Sequence, residues 1–335
     1  MNRLYVNRAC RIIAIVLVTA TVFYLYLPKR NWHVSDMVET VGENRVDVLC
    51  FGSSHAANGF NPIQMYEDEG IAAYVITYGS QAPWQSYYYI KEACKVQNPK
   101  LIIFDTYMLG AIQNEDTYEI NQPVINMLNC PLSINKIKTV MVSRADSRLD
   151  LLLVFPFNHD EEFNGFSLNK FYGKYIDSMG YDYKGVVVAG DVGDDVSNCM
   201  LTKAISKKNE KYLRKIIDYC KENEIELILA NTPWPCVTEE VEMYFNYIAQ
   251  IARENNIPFI DGCKLYKEMG IDYSTDCCAS DGHLNDNGVT KYNKWLEDYL
   301  SSNYELPDRR GETDYAPYER GIVWLEEVRK ENDER

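Results

Sequence analysis

Between residues 46 and 302 the chain alternates short apolar runs with amphipathic helical stretches, and this alternation restricts the fold more than any other feature. "RVDVLCFG" (45–52), "AAYVITYG" (72–79), "KLIIFDTY" (100–107), "IELILANTP" (225–233) and "IPFIDG" (257–262) read as five strands. The third is apolar up to its carboxyl end, as a parallel strand covered on both faces requires. Between them, "APWQSYYYIKEACKVQ" (82–97, with Pro83 in the first turn), "NEKYLRKIIDYCKEN" (209–223) and "TEEVEMYFNYIAQIARENN" (238–256) have helical periodicity. "GVTKYNKWLEDYL" (288–300) closes the series, with Val289, Tyr292, Trp295, Leu296 and Tyr299 on one stripe. Strands alternating with helices predict a three-layer α/β domain around a parallel sheet of five strands.

The rest of the chain falls outside that alternation. Residues 1–30 are predicted to form a membrane anchor with a cytoplasmic amino terminus. Arginine-rich "MNRLYVNRACR" precedes sixteen uncharged residues, "IIAIVLVTATVFYLYL", and "PKR" follows. Snorkelling of Arg8 and Arg11 would extend the span to residues 4–27, and the slight positive-inside bias places the following domain outside the cell. The competing reading is a cleaved signal peptide, but the run ends in bulky residues with no small-x-small site. Residues 31–45 read as a polar linker, and 46–303 as the α/β domain. Within it, 107–205 is a large insert after the third strand, too long to be a bare loop. The insert's aromatic residues, Phe155, Phe157, Phe163, Phe166, Phe171, Tyr172, Tyr175, Tyr181 and Tyr183, suit a satellite core or a sugar-binding groove. Residues 304–335 read as a charged tail with one short helix around Ile322, Val323, Trp324 and Leu325.

A net charge of −15 argues against a nucleic-acid partner, because such a surface repels phosphate backbones. The ten cysteines have irregular spacing and give no disulfide framework; Cys50 and Cys220 lie in apolar runs and read as buried thiols. Vicinal Cys277 and Cys278 stand near His283 without a second ligand pair, so neither a metal nor a cofactor is expected.

Ligands of open α/β sheets sit beyond the carboxyl ends of the strands. Here those ends bring Gly52-Ser53-Ser54, Gly79 and, after the fifth strand, "ASDGHLNDNG" (279–288) into one neighbourhood. A serine hydroxyl needs a base to take its proton, and the base needs an acceptor to fix its tautomer. Of the four histidines, His33 lies beside the anchor, His159 lies in the insert, and His55, next to Ser54 in the chain, points away from it. His283 is the best base, with Asp281 two residues before it as the orienting carboxylate.

In this order and placement, "FGSSHA", "TYGSQ" and "SDGHLNDNG" resemble the blocks of the SGNH (GDSL-like) hydrolase superfamily. The resemblance covers roughly residues 46–110 and 223–302. It implies a flavodoxin-like α/β/α SGNH fold, with Ser54 as nucleophile, His283 as base and Asp281 as orienter. The backbone amides of Ser54 and Gly79 would form the oxyanion hole. Ser53 stands where the family usually has aspartate, and "FDTYML" replaces the asparagine after the third strand; Asn231, at the end of the fourth, is the sterically available substitute. The short Asp-x-His spacing is similar to a membrane-anchored branch that includes alginate acetylation and teichoic-acid D-alanylation proteins. This resemblance implies a serine esterase or O-acyltransferase acting on acylated cell-surface carbohydrate, with a membrane-bound O-acyltransferase as a partner. The alternative is a non-catalytic surface-glycan binding or assembly factor on the same fold.

Overall fold

The computed structural model describes residues 10–19, 33–114, 133–143 and 177–334, together with Arg8 and Asn126. From the amino terminus, the first packed element is α1 (His33–Val41), followed by β1 (Val48–Gly52), the one-turn α2 (Ser54–Ala57) and α3 (Pro62–Glu69). Next come β2 (Ala73–Thr77), α4 (Pro83–Ala93), β3 (Leu101–Asp105), α5 (Ile134–Val142) and α6 (Lys207–Glu222). The chain closes with β4 (Glu226–Asn231), α7 (Glu239–Glu254), β5 (Phe259–Asp261), α8 (Asp286–Asn303) and α9 (Ala316–Asp333).

The five strands form one sheet, ordered β2-β1-β3-β4-β5, and every neighbouring pair is parallel. Val48 aligns with both Ala73 and Leu101, and Leu101 with Glu226, so the central strands end nearly level. All residues of β1, β2 and β3 are buried, which is why each appears in the sequence as an unbroken apolar run. The order reverses direction at β1, and right-handed crossovers then put helices on both faces. On one face α3 packs with α8 and α9; on the other α4 packs with α5 and α6. The resulting three-layer α/β/α architecture is the predicted one. Its switch point lies where β1 separates β2 from β3, and Ser53 and Ser54 follow β1.

Two regions differ from expectation. Residues 31–45, read as a polar linker, contain α1, whose Val34, Met37 and Val41 are 3%, 0% and 4% exposed within the main core. Their spacing of three and four places them on one helical face, a periodicity masked by the polar residues between them. The charged tail is likewise an integral layer. Arg309 makes a bidentate pair with Asp47 at 2.8 and 3.0 Å, and Tyr318, fully buried, donates to the carbonyl of Ala73 in β2 at 2.9 Å. Arg329 of α9 reaches Asp286 at the start of α8 at 2.7 Å. Salt-bridged arginines and a tyrosine with a polar tip can pack well while leaving a segment highly charged in composition.

Of the segment 4–27 read as a membrane span, residues 10–19 are helical, with Ile12, Ile15 and Leu17 exposed; most of the remainder lies outside the described residues. Among the described residues, no helix is long and apolar enough to cross a membrane. Of the insert aromatics, Tyr181 is buried, donating its hydroxyl to Asp286, and Tyr183 meets it edge-on. Phe155, Phe157, Phe163, Phe166, Phe171, Tyr172 and Tyr175 lie outside the described residues, as does His159.

Candidate active site

Ser54 opens α2 one residue beyond Ser53, which follows β1, so its position is inherited from a strand buried along its whole length. The turn requires Gly52: a Cβ there would stand 2.6 Å from that of Ala56 and 2.7 Å from that of Asp105. Ser53 is extended at the helix entry and buried, and its hydroxyl makes no capping hydrogen bond. The hydroxyl of Ser54 lies 2.8 Å from Nε2 of His283, across 229 residues of chain.

His283 arrives on the loop that enters α8. Between it and Asp281, Gly282 takes φ +86°, and this left-handed step folds the pair onto itself. Asp281 Oδ1 consequently lies 2.7 Å from Nδ1 of His283 and accepts from its backbone N–H at 3.4 Å. Partial burial pushes the Asp281 carboxyl up, but the hydrogen bonds and charge of His283 outweigh it and hold it below the ordinary carboxylate range. The indole of Trp234 donates to the Asp281 carbonyl at 2.8 Å, and the ring of Pro235 lies against Gly282. On the far side, Asn285 caps α8 by accepting from Gly288 and donates to the carbonyls of Thr275 and Cys277.

The three residues selected from the sequence as nucleophile, base and orienter are therefore brought into one hydrogen-bonded line. His55, set aside as a base in the sequence, belongs to the site as well: its buried ring stacks on His283 at 4.4 Å and on Tyr107 at 3.8 Å, with Trp234 edge-on at 5.8 Å. Burial, followed by the neighbouring His283, holds His55 well below the ordinary histidine range, so it is a neutral wall beside the base. Stacking of residues so distant in the chain leaves no periodic signal. The only local hints are "SHA" after the strand and "PWP" (233–235) after β4.

The expected oxyanion donors fare differently. Gly79 lies exposed just past the end of β2, the neighbour of β1, and its carbonyl accepts from Asn126 at 3.1 Å. Asn231 accepts at Oδ1 from the hydroxyl of Thr106, and its Nδ2 is buried without a hydrogen-bond partner among the described residues. Thr106, directly after β3, is itself fully buried. Asp105 anchors the same floor, accepting from the backbone of Tyr107 and Thr232, and its burial pushes its carboxyl up to about 7 against those bonds. Among the described residues no group of three His, Cys, Asp or Glu side chains is arranged to hold a metal ion. Cys50, Cys220, Cys277 and Cys278 are free thiols, the first three buried.

No protein-family model and no curated relative matches the sequence. Among solved structures, the chain is similar to a GDSL-like lipase from Bacteroides thetaiotaomicron, with 9% identity, 81% of this chain and 97% of that one covered, and a TM-score of 0.40. It is also similar to an acetyl xylan esterase, with 14% identity, 76% and 98% coverage, and a TM-score of 0.35.

Proposed function

We propose that the chain is a serine esterase or O-acyltransferase that acts on acyl esters of cell-surface carbohydrate through an acyl-Ser54 intermediate. One observation carries the chemistry: the continuous line from Ser54 Oγ to His283 Nε2 at 2.8 Å and from His283 Nδ1 to Asp281 Oδ1 at 2.7 Å. With the proton on Nδ1 donated to Asp281, Nε2 is free to accept from Ser54. As Oγ bonds to the acyl carbon, its proton passes to Nε2, and the N–H groups of Ser54 and Gly79 receive the oxyanion. Collapse breaks the ester C–O bond, and Nε2 returns the proton to the leaving alcohol. Water, or a sugar hydroxyl, then gives its proton to Nε2 while attacking acyl-Ser54, and the acyl–Oγ bond breaks as Nε2 returns that proton to Ser54; the first outcome is hydrolysis and the second transfer.

The carbohydrate substrate, the extracytoplasmic location and a membrane-bound O-acyltransferase partner are supported by the short Asp-x-His spacing and by the apolar run flanked by cations at residues 4–27. Treatment of the folded full-length chain with a fluorophosphonate, followed by peptide mass spectrometry, tests the chemistry. Ser54 should be labelled, Ser53 should not, and Ser54→Ala and His283→Ala should abolish the signal. A folded chain that takes no label would leave a glycan-binding role in place of catalysis.

A further inference from the structure

Helix α5 is turned inside out. Its inward face carries Asn135, Lys136, Thr139 and Val140, all buried, whereas Ile134, Ile137 and Met141 are 71%, 42% and 53% exposed. Spacings of three and four put these three apolar residues on one outward ridge, with Lys138 beside it. The helix cannot roll the ridge inward, because its polar side is tied to both neighbouring helices. Asn135 Nδ2 and Ser133 Oγ donate to Glu92 of α4 at 2.5 and 3.2 Å, and Trp84 of α4 donates to Ser143 Oγ at 3.0 Å. Lys208 of α6 donates to the Val142 carbonyl at 2.6 Å. An amphipathic helix normally buries its apolar stripe, so a tethered helix that presents that stripe outward is built for an apolar partner.

The charge around the ridge identifies that partner. The segments α4, α5 and α6 contain nine lysines and arginines against four carboxylates, in a chain whose net charge is −15. Lys91, Lys138, Lys211 and Lys215 share one field: burial first, and then Lys211, Lys138 and Lys91, hold the Lys215 ammonium below the ordinary lysine range. We propose that Ile134, Ile137 and Met141, together with these four lysines, form a docking surface for an anionic lipid bilayer. The ridge enters the headgroup boundary and the ammonium groups meet lipid phosphates. A second copy docked ridge to ridge would oppose two sets of ammonium groups, and a soluble polyanion would leave the ridge in water. The surface lies on a face of the sheet, whereas Ser54 lies at the strand ends, so docking leaves the candidate site open. The inference is independent of the catalytic reading.

Lysine acetylation of the full-length chain on lipid vesicles, read by mass spectrometry, tests this. On vesicles of one-third phosphatidylglycerol in phosphatidylcholine, Lys138, Lys211 and Lys215 should react at least ~5-fold more slowly than on pure phosphatidylcholine. Lys294, on α8 across the sheet, should be unaffected. Replacing the ridge by Ile134→Ser, Ile137→Ser and Met141→Ser should reduce the protection to less than ~2-fold without lowering the unfolding temperature. Should that variant fail to fold, Lys138→Gln with Lys211→Gln should cut the protection of Lys91 and Lys215 in its place. Equal rates on the two vesicles would overturn the proposal. So would protection that grows with protein concentration in the absence of lipid, indicating a second copy, or protection by a soluble anionic polysaccharide that survives in the serine variant.

Discussion

The nucleophile and the base of the candidate triad are held by different means. Ser54 is carried by a strand that is buried throughout and paired on both sides, so its position is a property of the whole sheet. Asp281 and His283 lie on a loop with no strand beneath it, and the Asp281 side chain is 65% exposed. That loop is fixed by separate pieces of chain: Trp234 and Pro235 after β4, the stacked ring of His55, and residues 188–191, whose backbone donates to Tyr273, Cys277 and Ser280. Asn293 joins the two halves. Fully buried in α8, it accepts from the N–H of Asn61 at 2.9 Å and donates to the carbonyl of Gly59 at 2.7 Å, tying the helix behind the base to the turn behind the nucleophile. The difference implies that the nucleophile half fails with the fold, whereas the base half fails by degrees.

The largest effect tests the nucleophile itself. Ser54→Ala should lower hydrolysis of an activated acetyl ester by ~1,000-fold or more while leaving the unfolding temperature nearly unchanged. An active Ser54→Ala protein would mean that Ser54 is not the nucleophile. Next is Asp281→Asn, which keeps the shape but loses the carboxylate that fixes the His283 tautomer. A buried orienting aspartate costs up to ~10,000-fold when so replaced, and the exposure of Asp281 leads us to expect ~100-fold in kcat. A loss under ~10-fold would mean that stacking on His55 alone orients the base.

This division also governs what the sequence alone reveals. Parallel strands buried on both faces leave unbroken apolar runs, so β1 to β3 were legible, as were the apolar runs of β4 and the half-buried β5, and with them Ser54 near a strand end. Asp281 and His283 were legible because their interaction is local, folded by one glycine. Helix α1 was not, since three core residues scattered among polar ones resemble a linker, and neither was the docked tail, whose anchors are arginines and a tyrosine. His55, Tyr107 and Trp234 escaped because ring stacking depends on the tertiary approach of three loops. At Asn231 the place at a strand end was visible, but the Thr106 hydroxyl that donates to its Oδ1 was not.

Glycine substitutions sharpen the contrast at smaller magnitude. Gly52→Ala pushes a Cβ into Ala56 and Asp105 in the sheet floor and should lower stability along with activity. Gly282→Ala has to hold φ +86° with its Cβ 2.5 Å from the Pro235 ring, a clash that displaces the Asp281–His283 loop without reaching into the sheet. The expected result is a ~10-fold fall in kcat/KM, with fluorophosphonate still reaching Ser54 more slowly, and an unfolding temperature within a few degrees of wild type. Equal thermal losses in both variants would show that the base loop is as much a part of the folded core as β1.

The smallest effect concerns α8, the helix on which the base loop rests. Burial, and then the Asp68 carboxylate, push the Glu297 carboxyl up to about 9, from an ordinary value of 4.5. Because the folded protein holds this proton more tightly than the unfolded chain, the stability it contributes is complete at low pH and is lost as pH rises from about 4.5 toward 9. Each pH unit in that window costs at most ~1.4 kcal/mol from this group. Asp105, raised to about 7, contributes in the same direction. Glu297→Gln keeps the shape without the ionisation, so it should flatten, though not abolish, the fall in unfolding temperature between pH 6 and 9, where wild type and variant differ most at the alkaline end. Parallel melting curves across that range would mean that Glu297 is ionised within the fold. The base half would then owe its weakness to the loop alone, and α8 would be as firm a support for His283 as β1 is for Ser54.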